Sequence, residues 1–163
     1  MMIIPPTATR VEENTDSHIN EEIHTRTKNN VVLYASAGPP AIDRRLRELD
    51  QEWDIERVLE ANAASFSLMG LALGAFLDRR WFLLPATVAG FLLQHAIQGW
   101  CPPAPVFRRM GIRTSNEIQQ ERHALKALRG DYRDVPKMSE EANGGNVPEA
   151  TRALEAAGHN SSY

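Results

Sequence analysis

"DIERVLEANAASFSLMGLALGAFLDRRWFLLPATVAGFLLQHAIQGW", residues 54–100, is the stretch on which the fold turns. No Asp, Glu, Lys or Arg occurs between Ala61 and Leu77 or between Trp81 and Phe107, and Asp78-Arg79-Arg80 alone separates the two runs. Each run is apolar around its whole circumference, the pattern of a helix with no water-facing side. A domain this small rarely surrounds two such helices with protein. The pattern therefore predicts an all-α chain built on a transmembrane helical hairpin, with spans over about 58–77 and 81–100 and a soluble helical bundle as the competing arrangement. Trp81 to Trp100 rises roughly 28 Å at ~1.5 Å per residue, near the ~30 Å of a hydrocarbon core, and the two tryptophans would mark its two interfaces. The first run has 17 charge-free residues. It reaches a full span only if Val58 and Leu59 join it with Glu60 snorkelling, and Asn62, Ser65 and Ser67 weaken it.

Charge around the hairpin sets its orientation. Arg44, Arg45, Arg47 and Arg57 precede the first span and Arg108, Arg109 and Arg113 follow the second, against Arg79 and Arg80 in the turn. The basic excess puts both termini in the cytoplasm. Outside the hairpin the chain is strongly polar. Residues 1–14 form an expected flexible lead. Cytoplasmic helices follow over 15–53: one from Thr15 or Asp16 with Ile19, Ile23 and Leu33 on one side, and one after Gly38-Pro39-Pro40 with Ile42, Leu46, Leu49 and Trp53 as its apolar stripe. That stripe suits either packing on the preceding helix or lying on a membrane surface. A further cytoplasmic helix is expected within 106–132, opened by a capping box of Thr114 with Glu117 and closed by Gly130. Residues 133–163 read as a disordered tail, with a short helix conceivable in "PEATRALEAAG".

If the two spans pair antiparallel, residues equally far from the turn share a depth. Gly70 and Gly74 on the first helix, and Ala86 and Gly90 on the second, form small-xxx-small pairs that suit helix packing within the hairpin or between copies of it. The same mirror sets Asn62 and Ser65 beside Gln94, His95 and Gln98 as a polar cluster, either interhelical glue or a pocket with His95 as its titratable member. Cys101, where Pro102 and Pro103 stop the helix, lies by this argument near Arg57, whose charge favours a thiolate while the helix C-terminus and the lipid boundary oppose it. It is the candidate reactive thiol, with a structural boundary role as the alternative.

Other chemistry finds no support in the sequence. A single cysteine excludes an internal disulfide, and the net charge of −3 gives no footprint for nucleic acid. The N-terminus lacks a signal peptide's cationic start and apolar stretch. No Ser/His/Asp set, phosphate loop or metal-ligand spacing occurs, so no catalytic residue, metal or cofactor is expected.

A hairpin opened by "WDIERVLE", with its Glu56-Arg57 entry and Gly-rich first span, and closed by "GWCPPAPVFRRMGIRT", with Cys101-Pro102 and Gly111 beyond, resembles the YgaP-like two-helix inner-membrane domain family of bacteria. "AIDRRLRELDQEWDIER" and "ERHALKALRGDY" are similar to a proteobacterial subgroup with cytoplasmic helices flanking the hairpin, over roughly residues 15–133. The resemblance implies a multi-pass protein of the bacterial inner membrane with no assigned activity. Some members carry a rhodanese domain; this chain has none, so sulfur-transfer activity does not carry over. The resulting expectation is a non-enzymatic membrane anchor, scaffold or oligomerising protein, with the lipid bilayer, further copies of itself or a cytoplasmic-face protein as partners. The alternative is a thiol or sulfur relay, or a small-solute conduit, using Cys101 with Arg57 and His95.

Overall fold

The computed structural model describes residues 5–133, and every regular element among them is helical. The expected tail and its short helix fall, but for residue 133, outside the described residues. The elements run α1 (Arg10–Glu13), α2 (Ser17–Ser36), α3 (Pro39–Gln51), α4 (Ile55–Phe76), a 3-10 turn (Arg79–Phe82), α5 (Leu83–Gln98), α6 (Ala104–Arg109) and α7 (Ser115–Arg129). They divide into two compact units: Trp53–Ile118 with the chain up to Arg26, and Thr27–Glu52 with the chain from Gln119.

In the first unit α4 and α5 form an antiparallel hairpin. Asp54 caps α4, its carboxylate accepting from the Arg57 N–H at 2.9 Å, and the Ile55 N–H donates to the Arg113 carbonyl. At the turn, Asp78 accepts from the Arg80 N–H at 2.8 Å. Asp54 and Asp78 each satisfy a donor that the helix cannot pair. Close contact between the arms is made at the first helix's glycines. Both are buried, and a Cβ at Gly70 would lie 2.6 Å from Pro85 Cδ, while one at Gly74 would lie 2.8 Å from the Phe82 ring.

The second small-residue pair does not meet α4. Leu84, Pro85 and Phe82 fill the glycine notches, whereas Ala86 and Gly90 are exposed and a Cβ at Gly90 would find open space. The physical reason is helical phase: with 3.6 residues per turn, a helix that presents Leu84 and Pro85 to its neighbour turns Ala86 and Gly90 elsewhere.

One helix among the described residues is long and apolar enough to cross a membrane, within Pro39–Phe76. The chain is extended at Glu52 and Asp54, so this apolar window belongs to α4. Only 17% of the window is buried inside the protein, unlike the core helix of a soluble domain. The second arm is shorter than 81–100: α5 has 16 residues, and the left-handed Gly99 ends it before Trp100. With the 3-10 turn ahead of it, the helical stretch is continuous over residues 79–98. The hairpin leaves large apolar side chains bare along its length, among them Leu68, Phe76, Leu77, Leu83 and Leu93.

The N-terminal lead is not featureless. It contains α1, whose Val11 is 5% exposed and joins Ile55, Leu59, Cys101 and Ala104 in one apolar cluster, with Phe107 and Ile112 against it. One buried valine offsets roughly 1.5–3 kcal/mol of ordering cost, enough to hold a single turn that has no strength of its own.

Around the exit from α5, Arg108 is 1% exposed and completely occupied. Its guanidinium donates to both Glu117 oxygens at 2.6 and 2.7 Å, to Asn20 Oδ1 at 2.9 Å, to Thr15 Oγ1 and to the Ile112 carbonyl. The fork geometry of arginine makes such a hub possible. Glu117 also closes the expected capping box: it accepts from the Thr114 N–H at 2.7 Å, and its own N–H donates to Thr114 Oγ1.

The second unit buries Ala41, Ile42, Leu46 and Leu49 of α3 together with Leu125 of α7. Arg45 bonds Glu121 at 2.7 Å, Arg129 bonds Asp43 at 2.5 Å, and Arg122 pairs with Asp50. Trp53 does not extend the α3 stripe, because the helix ends at Gln51; the indole is 48% exposed.

Candidate functional site

The hairpin's open end, opposite the Asp78 turn, gathers its polar chemistry around His95. The side chain is 2% exposed, and Nε2 lies 2.8 Å from Glu56 Oε2. Glu56 stands in the first turn of α4, one residue before the Arg57 that the mirror argument selected. Its other oxygen accepts from Arg10 of α1 at 2.8 Å. Glu56 is thus a carboxylate clamped from two sides.

Cys101 completes the group. It is 4% exposed and free, and sits in one apolar cluster with Ile55 and Leu59 at the same end of the hairpin. The backbone brings it there by a defined route: Gly99 adopts φ 77° and its N–H bonds the His95 carbonyl at 2.7 Å, reversing the chain so that Cys101 folds back under α5. A Cβ at Gly99 would collide with the Arg10 carbonyl, so glycine also lets α1 approach closely enough for Arg10 to reach Glu56. His95 Nδ1 is buried without a hydrogen-bond partner.

Arg57 takes a different position from the one expected. Its guanidinium lies 4.4 Å from the centroid of the Trp53 ring, a cation–π contact on the exposed side of α4. A step of one residue turns a helix through more than a quarter of a circle, which separates the roles of Glu56 and Arg57.

The remaining members of the expected polar cluster do not join His95. Asn62 donates to the Val58 carbonyl and Ser65 to the Ala61 carbonyl, each four residues back on its own helix at 2.8 Å. Such back-bonding satisfies a polar side chain locally and removes the need for a partner across the hairpin. Gln98 takes part through its backbone carbonyl, which accepts from Asn14, and Gln94 is half-buried.

Beside this group lies an apolar cavity of about 160 Å³, walled by Leu59, Phe66, Val88, Phe91 and Phe107, with Cys101 on its lining and Asn62 as its one amide. Glu56, Arg10 and the cavity carry no mark in the sequence beyond helical phase. Continuing the contact stripe of Gly74 and Gly70 backwards along α4 at three- and four-residue steps reaches Ser67, Ala63, Leu59 and Glu56, and this was the signal available. No protein-family model, curated protein or solved structure matches the chain.

Proposed function

We propose that this chain is a small integral protein of the bacterial inner membrane, anchored by a two-span hairpin over α4 and α5 with both termini in the cytoplasm. It serves without catalysis as an anchor, scaffold or self-associating unit, its partners the lipid bilayer and, at the cytoplasmic face, further copies or another protein. The observation that carries this reading is the bare apolar circumference of the hairpin. Leu68, Phe76, Leu83 and Leu93 face outward at 68, 86, 70 and 63% exposure, a surface far too apolar to leave in water. Lipid covers it at no cost. Alkaline carbonate extraction of membranes tests the proposal: the protein stays in the pellet, and release into the supernatant would remove the hairpin from consideration.

A second reading takes Cys101 as a reactive thiol: it is free and lies on the lining of the apolar cavity at the hairpin's open end. Alkylation by neutral iodoacetamide tests it: Cys101 reacts faster at pH 7 than a free cysteine does, and a slower rate argues for a purely structural boundary residue.

A further inference from the structure

We infer that Trp53 and Arg57 form a headgroup site for an anionic phospholipid of the cytoplasmic leaflet, whose chains lie along the outer face of α4. The inference rests on the hairpin reading above and adds a lipid class and the residues that select it.

Three observations lead there. The first is the state of Arg57. Its guanidinium lies 4.4 Å from the centroid of the Trp53 ring, and among the described residues its side chain has no acidic partner. Other arginines at this end of the hairpin are paired: Arg10 with Glu56, Arg108 with Glu117 and Arg109 with Asp16. Stacking engages the face of a planar guanidinium and leaves the N–H donors of its edge free, in the fork that matches two phosphate oxygens. The ring beneath it also restricts the side chain, so less freedom is lost when a ligand arrives.

The second observation is depth. From Arg57 to Leu77 the helix rises ~30 Å at ~1.5 Å per residue, the thickness of a hydrocarbon core. Arg57 therefore stands at the cytoplasmic boundary when the Asp78 turn stands at the other. Trp53, 48% exposed, sits just outside it, where an indole finds both apolar and hydrated surroundings. Lipid phosphates occupy that level.

The third observation is the surface above the pair. Helical phase stacks Ala61, Ala64, Leu68 and Leu71 over Arg57 at steps of four, three, four and three residues. Leu68 is 68% exposed and Leu71 46%. The two alanines leave a shallow strip between the arginine and the leucines, along which an acyl chain can run from a phosphate held by Arg57.

The charge of the lipid follows from what else stands nearby. Asp54 is occupied as the α4 cap, and Glu60 is exposed one turn above Arg57 without pairing with it. A zwitterionic lipid brings its own ammonium group to compete for its phosphate, whereas an anionic one offers net charge to an unpaired guanidinium.

The test presents the full-length protein in neutral detergent with equal amounts of phosphatidylglycerol and phosphatidylcholine bearing the same chains, and counts retained lipids by native mass spectrometry. Phosphatidylglycerol should be retained about fivefold over phosphatidylcholine, the effect of one basic side chain at an anionic lipid surface. Arg57→Gln should abolish the preference, and Arg57→Lys, which keeps the charge without the stacked fork, should retain part of it. Trp53→Leu should lower it and Glu60→Gln should raise it. Arg47→Gln, which removes an exposed arginine of α3, should leave it unchanged. All these side chains are exposed, and helical circular dichroism checks that each variant is folded. Equal retention of the two lipids, or a preference that survives Arg57→Gln, overturns the inference. So does glycerol phosphate, a headgroup without chains, if it displaces the lipid as effectively as more lipid does. A protein that shows no lipid preference but stays in the carbonate pellet keeps the hairpin reading and loses this site; release from the pellet ends both.

Discussion

Alanine substitutions at Gly70 and Gly90 provide a matched test of how the hairpin packs. Both are helix-interior glycines of the two arms, so each change to alanine gains the same ~1 kcal/mol of intrinsic helix preference. Their surroundings differ. At Gly70 the new methyl would lie 2.6 Å from Pro85 Cδ and 3.1 Å from Leu84 Cβ, and at Gly90 it would meet nothing within 4 Å. Pro85 Cδ belongs to a ring closed on the backbone, so the arms must separate to relieve the contact, at an overpacking cost of ~1–3 kcal/mol. Gly90→Ala should therefore stabilise the protein by up to ~1 kcal/mol and Gly70→Ala should be neutral to destabilising by ~2, a difference of ~1–3 kcal/mol between two identical chemical changes. Titration of detergent-solubilised protein with a denaturing surfactant, followed by loss of helical circular dichroism, measures that difference. Equal midpoints for the two variants, or Gly90→Ala as the weaker, would refute the assignment of α4's glycine face to the contact and of Gly90 to the outside.

Other substitutions test the remaining joints. Gly74→Ala should cost less than Gly70→Ala in the same titration, since the obstructing group, 2.8 Å away, is the Phe82 ring, which can swing. Arg108→Met leaves Glu117 charged and largely buried without its partner, and should destabilise by ~3–5 kcal/mol; adding Glu117→Gln should restore a large part of the thermal midpoint. Thr114→Ala removes the α7 cap and should cost ~0.5–2 kcal/mol, read as fraying of that helix by amide hydrogen exchange. Arg10→Ala leaves Glu56 with His95 alone; by loosening α1, whose Val11 shares an apolar cluster with Cys101, it should speed Cys101 alkylation while the hairpin remains in the membrane pellet.

Local features were legible in the sequence because their physics is local. The turn at Asp78-Arg79-Arg80, the Thr114/Glu117 capping box and the Gly70/Gly74 notch each follow from a few neighbouring residues, whereas α5, expected to stop at Cys101-Pro102-Pro103, ends earlier, at the left-handed Gly99. The misses came from both depth and phase. Equal distance from the turn is off by several residues: Gly70, nine before Arg79, meets Leu84 and Pro85, five and six after it, and Glu56, 23 before, meets His95, 16 after. Nor does distance say which side of a helix faces its neighbour, and Arg57, Ser65, Ala86 and Gly90 lie on exposed sides. The polar cluster failed for a further reason: Asn62 and Ser65 found partners on their own helix, four residues back, at no conformational cost. Glu56 and His95 are 39 residues apart and Arg10 and Glu56 46 apart, and α1 exists only because Val11 has a cluster to enter. Nothing in "MMIIPPTATRVEEN" announces a helix whose stability comes from residues 55, 59 and 101.

Site-directed labelling in intact cells tests the two-span hairpin with cytoplasmic termini most directly. Starting from Cys101→Ser, a cysteine placed at Arg79 in the turn and another placed at Ser115 at the start of α7 are treated in separate variants with a membrane-impermeant maleimide, before and after the inner membrane is opened. The account predicts that the turn cysteine is labelled in intact cells and the α7 cysteine only after opening. Labelling of both before opening, or of neither until it, would contradict a hairpin that crosses the bilayer twice.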